Sequence, residues 1–308
     1  MPNVLTFNLG SDPAGISSGI ARAFADDPDW HVRSMVSMRN YIDYRPDLEW
    51  SPQAAAEAWQ AADVVHLHHG FRSYDRLRGM VGGRRVPPRP FVVTYHGTGF
   101  REATRAHLNE LGNRIGTVST LDLAVQSGLE WLPPTVDTEA LHAMKQPAND
   151  RILIVHAPTN RAVKSTANFL DAVQRLQDEG YPVDLDLIER RPWKECLERK
   201  ARADIYFDQV ILGYGCNALE AWAMGIPVVA GAADETLDEM ERRFGHLPFY
   251  HATEETIYDA LKELVEDPDL RARYAQIGLD YVHQYHAEAV VVEQLKGLYR
   301  RAIEEYAA

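Results

Sequence analysis

The chain has 308 residues, 45% of them hydrophobic and 25% charged, enough for two ordinary domains with full cores. Its net charge of −13 excludes a surface that is basic everywhere, and no apolar run approaches the roughly 18 residues that a membrane span needs. Only Cys196 and Cys216 are present, too few for a disulfide framework or a cysteine zinc site, so both are expected to be free thiols in a reducing compartment.

The first residues, Met1 to Phe7, lack the basic region and long apolar stretch of a signal peptide and enter directly into a strand pattern. A cytoplasmic protein without stable membrane insertion is expected. Strand-like runs follow at 4–9, 31–36, 64–68, 91–95 and 115–118, with helical segments between them. Such alternation implies a mostly parallel sheet covered on both faces. Residues 133–150, with two prolines near their start and the polar run Gln146-Pro147-Ala148-Asn149-Asp150 at their end, read as a linker. A second series begins after it, with strands at 152–156, 183–188, 205–207 and 228–230 and helices at 166–179, 194–202 and 216–224. Beyond residue 252 the pattern is wholly helical, at 254–266, 270–285 and 287–306, and Val291, Val292, Leu295 and Leu298 give the last segment a face that packs on something. The predicted organisation is α/β with two Rossmann-like domains, at 1–147 and 148–285, followed by a terminal helix at 286–308.

Charge is divided unevenly. Residues 1–147 hold 14 Lys and Arg against 16 Asp and Glu, and the remainder holds 18 against 29. Within the first part, Arg72, Arg76, Arg78, Arg84, Arg85 and Arg89 fall in one stretch opposed only by Asp75. It reads either as a solvated arginine-rich loop or as a contact for an anionic acceptor, with Arg84 and Arg85 the candidates.

The stretch from Gly213 to Pro227 carries the strongest chemical signal. Gly213 and Gly215 allow close backbone approach, the helix that follows presents unsatisfied amides and the positive end of its dipole, and Glu220 lies far enough along to accept sugar hydroxyls. Upstream, Arg161 and Lys164 stand three residues apart just after a strand. Ligands of open α/β sheets bind at the carboxyl ends of strands, where a guanidinium and an ammonium can clamp a diphosphate. The loop from Gly10 to Gly19 follows the first strand without the usual dinucleotide glycine spacing. His66, His68 and His69 invite a metal reading, but strand alternation puts His66 and His68 on one face and His69 on the other. Cys216 reads as a small loop residue, and Trp222 and Met224 as core.

Taken together, Asn160-Arg161-x-x-Lys164, the run from Ala203 to Gln209 and the segment from Gly213 to Pro227 resemble the donor-binding domain of family 4 glycosyltransferases of the GT-B fold. The resemblance extends through Val64 to His68, Val93 to Thr98 and Val118-Ser119-Thr120, so it covers most of the chain. It implies two Rossmann-like domains facing each other across a cleft, with the C-terminal helix crossing back to the first. It implies a hexosyltransferase that moves a sugar from a nucleoside diphosphate sugar, expected to be UDP-linked, to a hydroxyl acceptor with retention and without a cofactor or obligatory metal.

By resemblance Arg161 and Lys164 bind the diphosphate and Glu220 the ribose hydroxyls, while the backbone of Gly213, Tyr214, Gly215, Cys216, Asn217 and Ala218 touches phosphate and sugar. Glu189 lies near the nucleobase, domain closure brings His96 to the transferred sugar, and Gly15, Ser17 and Ser18 contact acceptor or phosphate. Leu212 replaces the first glutamate of the family's E-x7-E spacing, and Asp208 or Gln209 is the expected substitute. Gly99 stands where many relatives carry an aspartate. The acceptor is expected to be a glycan or lipid-linked glycan. The alternatives are DNA bearing hydroxymethylated pyrimidines, which suits the arginine stretch, and a catalytically silent nucleotide-sugar-binding protein.

Overall fold

The computed structural model describes residues 1–68, 78–79 and 88–307. The chain forms two compact units, one of Met1–Thr135 with Glu288–Ala308 and the other of Val136–Ala287. The division thus falls at 135/136, whereas the sequence pattern places it near 147.

The first unit contains β1 (Asn3–Asn8), β2 (His31–Val36), β3 (Val64–His68), β4 (Phe91–Tyr95), β5 (Gly116–Val118) and β6 (Glu130–Trp131). They lie in the order β2-β1-β3-β4-β5-β6, all parallel. Strand alternation sorts their side chains. Leu5, Phe7, Val65, Leu67, Val93 and Tyr95 join one apolar layer with Trp59 of α2 (Pro52–Ala61), Phe100 and Leu111 of α3 (Gly97–Leu111) and Leu123 of α4 (Leu121–Ser127). The opposite face receives α1 (Ile16–Ala23) and the C-terminal helix Glu288–Ala307. That helix buries Val291, Val292, Leu295 and Leu298, as its spacing predicts, together with Tyr299, and Lys296 pairs with Asp27 at 2.6 Å.

The second unit holds β7 (Ile152–His156), β8 (Val183–Leu187), β9 (Ile205–Phe207), β10 (Leu212–Gly213), β11 (Val228–Ala232) and β12 (Tyr250–His251). Their order is β10-β11-β9-β7-β8 with β12 on β11, and only β10 runs antiparallel. The expected linker contains α5 (Thr138–His142), capped by Asp137, whose carboxylate accepts the Ala140 N–H at 3.0 Å. The helices α6 (Thr166–Asp178), α7 (Trp193–Lys200), α8 (Cys216–Ala223), α9 (Asp234–Phe244), α10 (Ile257–Glu266) and α11 (Pro268–Tyr285) follow. Since α5 packs on α8, residues 136–147 belong with this unit.

Two glycines are demanded by close approach around α8 and β11. At Gly278 of α11 a Cβ would lie 2.0 Å from Trp222, which is wholly buried, and at Gly231 it would lie 2.0 Å from the Ala252 carbonyl oxygen. Met224 is equally buried, so both it and Trp222 are core, as expected.

Candidate functional site

At the carboxyl end of β7, His156 is buried and its Nδ1–H donates to the Phe207 carbonyl at 2.9 Å, so Nε2 accepts from the Thr166 hydroxyl at 2.8 Å. Desolvation lowers its pKa to about 4, and the ring is a neutral peg between β9 and α6. The loop it anchors carries Arg161 and Lys164, shaped by the Asn160 carboxamide, which accepts the Ala162 N–H at 3.1 Å.

Each cation is met by an acid from the next strand ends. Arg161 makes a two-pronged contact with Glu189 at 2.8 and 2.6 Å, and this hydrogen bonding holds the Glu189 carboxyl below the usual carboxylate range. Lys164 Nζ lies 2.5 Å from Asp208, whose other oxygen accepts the Gly215 N–H at 2.6 Å. The ammonium is thereby held over the start of α8, 3.3 Å from where a Cβ on Gly215 would stand. Neither pairing exhausts its cation, because an ammonium has three donors and a guanidinium five.

The glycine loop is built by the Asp208-Gln209 dipeptide at the end of β9. The Gln209 side-chain Oε1 accepts the N–H groups of Ile211 and Leu212 at 3.1 and 2.8 Å, and its Nε2 donates to the Gly213 backbone carbonyl at 3.0 Å. Gly213 takes φ +88°, which favours glycine, and Gly215 is the N-cap of α8 with no side-chain capping bond. Gln209 is therefore a loop staple and Asp208 a lysine clamp. Both side chains expected to stand in for the missing glutamate thus also carry bonds that build the loop.

Other expected residues sort by what remains available. Tyr214 turns its side chain into the core, where its hydroxyl meets those of Tyr281 and, at 3.3 Å, His286 Nε2, so only its backbone faces the loop. Ala218 is likewise buried. Desolvation pushes the Cys216 thiol up to about 12, which keeps it protonated and makes it a poor nucleophile. Asn217 ties α8 to the end of β7 by donating to the Ala157 carbonyl at 3.1 Å. Glu220 accepts the Trp193 indole N–H at 2.7 Å and an ion-paired hydrogen bond from Lys200. Two bonds leave half of a carboxylate's lone-pair sites for other donors. Neither Trp193 nor Lys200 belongs to a motif that marks it in the sequence.

The first unit ends its strands differently. His96, after β4, places Nδ1 2.8 Å from the Ser119 hydroxyl and Nε2 2.8 Å from His68 Nδ1, and His68 Nε2 lies 2.8 Å from the Thr6 hydroxyl. His66 and His68 share a face, as alternation predicts, with rings stacked at 4.7 Å. His66 Nδ1 sits 3.0 Å from Tyr299 Oη and its Nε2 2.7 Å from the Thr94 hydroxyl, and desolvation lowers its pKa to about 3. Among the described residues no group of three or more His, Cys, Asp or Glu is arranged to hold a metal ion.

Ser17 and Ser18, expected to contact phosphate or acceptor, are already engaged. Asp12 accepts their N–H groups at 2.9 Å each and the Ser18 hydroxyl at 2.5 Å, and Ser17 Oγ lies 3.1 Å from the Thr6 hydroxyl. The N-terminus of α1 thus already holds a carboxylate of its own chain, buried to 5% exposure, and desolvation raises that carboxyl's pKa. Gly15 has φ +75° and faces Tyr44, with no room for a side chain. Gly99 has open space around it. Arg84 and Arg85 lie outside the described residues.

No protein-family model matches the sequence, and no curated protein matches it. Solved structures do. An alpha-glucosyltransferase in complex with UDP and a 13-mer DNA is similar at 11% identity and TM-score 0.69, over 97% of this chain and 100% of that one. HepE of Anabaena in complex with UDP-glucose is similar at 12% identity and TM-score 0.67, over 96% and 99%. Sucrose-phosphate synthase from Thermosynechococcus elongatus is similar at 14% identity and TM-score 0.65, over 99% and 100%. At such identities the likeness bears on fold alone, and with the two parallel-sheet units it shows that this chain is an α/β protein of the GT-B fold.

Proposed function

We propose that the chain is a glycosyltransferase that binds a UDP-linked sugar in its second unit and transfers the sugar, a hexose, to a hydroxyl acceptor. The observation that carries this reading is the gathering of Arg161, Lys164, the start of α8 and Glu220 around the carboxyl ends of β7, β8 and β9. Two cations and a helix N-terminus stabilise the diphosphate, both bound and as it departs, and Glu220 accepts from the ribose. Arg161 exchanges part of its contact with Glu189 for phosphate, while Lys164 adds phosphate beside Asp208. Structures similar in fold contain UDP or UDP-glucose, which supports the choice of nucleotide. Retention, independence from metal, and a sugar contact by His96 belong to the proposal through the family resemblance.

For the acceptor we propose a glycan or lipid-linked glycan. A second reading, modified DNA, is favoured by the arginine stretch from Arg72 to Arg89 and by the similar alpha-glucosyltransferase crystallised with UDP and DNA containing an HMU base. Incubation with a panel of nucleotide sugars, chelator, saccharide acceptors and hydroxymethylated DNA, read by mass spectrometry, tests both. Transfer to saccharide that is indifferent to salt supports the glycan. DNA transfer that falls steeply with salt and is lost in Arg84→Glu/Arg85→Glu supports the second reading. Donor binding with no transfer or hydrolysis in any condition leaves only a nucleotide-sugar binder.

A further inference from the structure

Lys200 is wholly buried, and its side-chain nitrogen is met by oxygen acceptors from α8. Its ammonium donates to Glu220 Oε2, to the Asn217 side-chain oxygen at 2.8 Å and to the Asn217 carbonyl at 3.2 Å, and lies 5.0 Å from the Tyr206 ring. Trp193 and Lys200 are the first and last residues of α7, seven positions apart. Seven residues are close to two helical turns, so both ends present side chains to one face, and both reach one carboxylate. A buried ion pair is costly to desolvate and apolar residues often replace one without loss of stability, so stability alone does not account for a lysine here. What the arrangement does supply is aim: Oε1 is held from one side and Oε2 from the other.

We propose that Lys200, assisted by Trp193, is a positioning residue for ribose recognition, holding the Glu220 carboxylate so that its remaining lone pairs meet the ribose hydroxyls. This rests on the donor-site reading above and adds to it the residues that make the nucleotide site selective for a ribose over a deoxyribose. Phosphate binding through Arg161 and Lys164 is separate from this device, so its loss shows in the sugar of the nucleotide and not in the phosphates.

Calorimetric titration of the full chain with UDP and with 2′,3′-dideoxyuridine diphosphate tests it. Wild type is expected to prefer UDP by about tenfold or more, the worth of hydrogen bonds to a charged group. Lys200→Met is expected to shrink that preference below about twofold while still binding both nucleotides, and Trp193→Phe, which removes only the N–H, to shrink it by about threefold. A merely structural role lowers both affinities together and leaves their ratio alone. Circular dichroism checks folding, and if Lys200→Met does not fold, Trp193→Phe decides. An unchanged ratio in the folded variants, or no preference in wild type, overturns the proposal. Wild type that binds neither nucleotide instead overturns the donor-site reading on which it rests.

Discussion

The two units repeat one architecture and finish their strands in opposite chemistries. In the first, Ser119, His96, His68, Thr6 and Ser17 form a buried hydrogen-bonded chain without an acid among them, and the helix N-terminus beside it is filled by Asp12. In the second, the corresponding ends carry ion pairs, Arg161 with Glu189 and Lys164 with Asp208, and Lys200 of α7 pairs with Glu220 of α8 beside them. A parallel sheet makes a ligand crevice in either case. In the proposed reading the charge at its rim decides which crevice takes a diphosphate, and that crevice is the second unit's.

The largest effect that tests this contrast is Lys164→Ala, which should reduce transfer at least about 100-fold with folding retained, as expected for losing a preorganised charge at the leaving group. Turnover equal to wild type would remove the assigned site. Next comes acidity. His66 and His156 are held neutral well below the ordinary histidine pKa. As pH falls from about 6.5, the unfolded chain takes up protons that the folded rings refuse, so each ring withdraws stability by about 1.4 kcal/mol per pH unit until its folded pKa is reached. For His156, with a pKa of about 4, the total is about 3 kcal/mol. His66→Gln should flatten the dependence of unfolding free energy on pH over that range, and an unchanged slope would mean the ring is not held neutral.

A smaller effect is expected in the first unit's loop. Asp12→Asn should cost about 1 kcal/mol of stability, the worth of an N-terminal capping carboxylate, while UDP affinity stays within about twofold of wild type. A large loss of UDP affinity would transfer the phosphate role to the first unit. The smallest effect is Glu189→Gln. Because the Arg161 pair is exposed and weak, freeing the guanidinium should improve UDP binding by no more than about fivefold. Weaker binding would instead support the sequence-based expectation that Glu189 meets the nucleobase.

The long strands and the apolar face of the last helix were legible because period-two and helical patterns are local. So was the nearness of Lys164 to the glycine loop, since both follow strand ends of one parallel sheet. Strands β10 and β12, two residues each, exist only through pairing with β11, and no local pattern announces them. Lys200 reads as one more exposed lysine in α7 until the fold brings Glu220 and Asn217 to it. Asp12 likewise looks like loop punctuation until its two oxygens are seen on Ser17 and Ser18. Long-range convergence, not composition, separates these residues from their neighbours.

Amide hydrogen exchange with and without saturating UDP tests the central claim most directly, because it needs no substitution. The account predicts new protection at residues 160–166 and 213–220 of the second unit on nucleotide binding. Protection at residues 10–19 of the first unit, with none at 160–166 or 213–220, would contradict it.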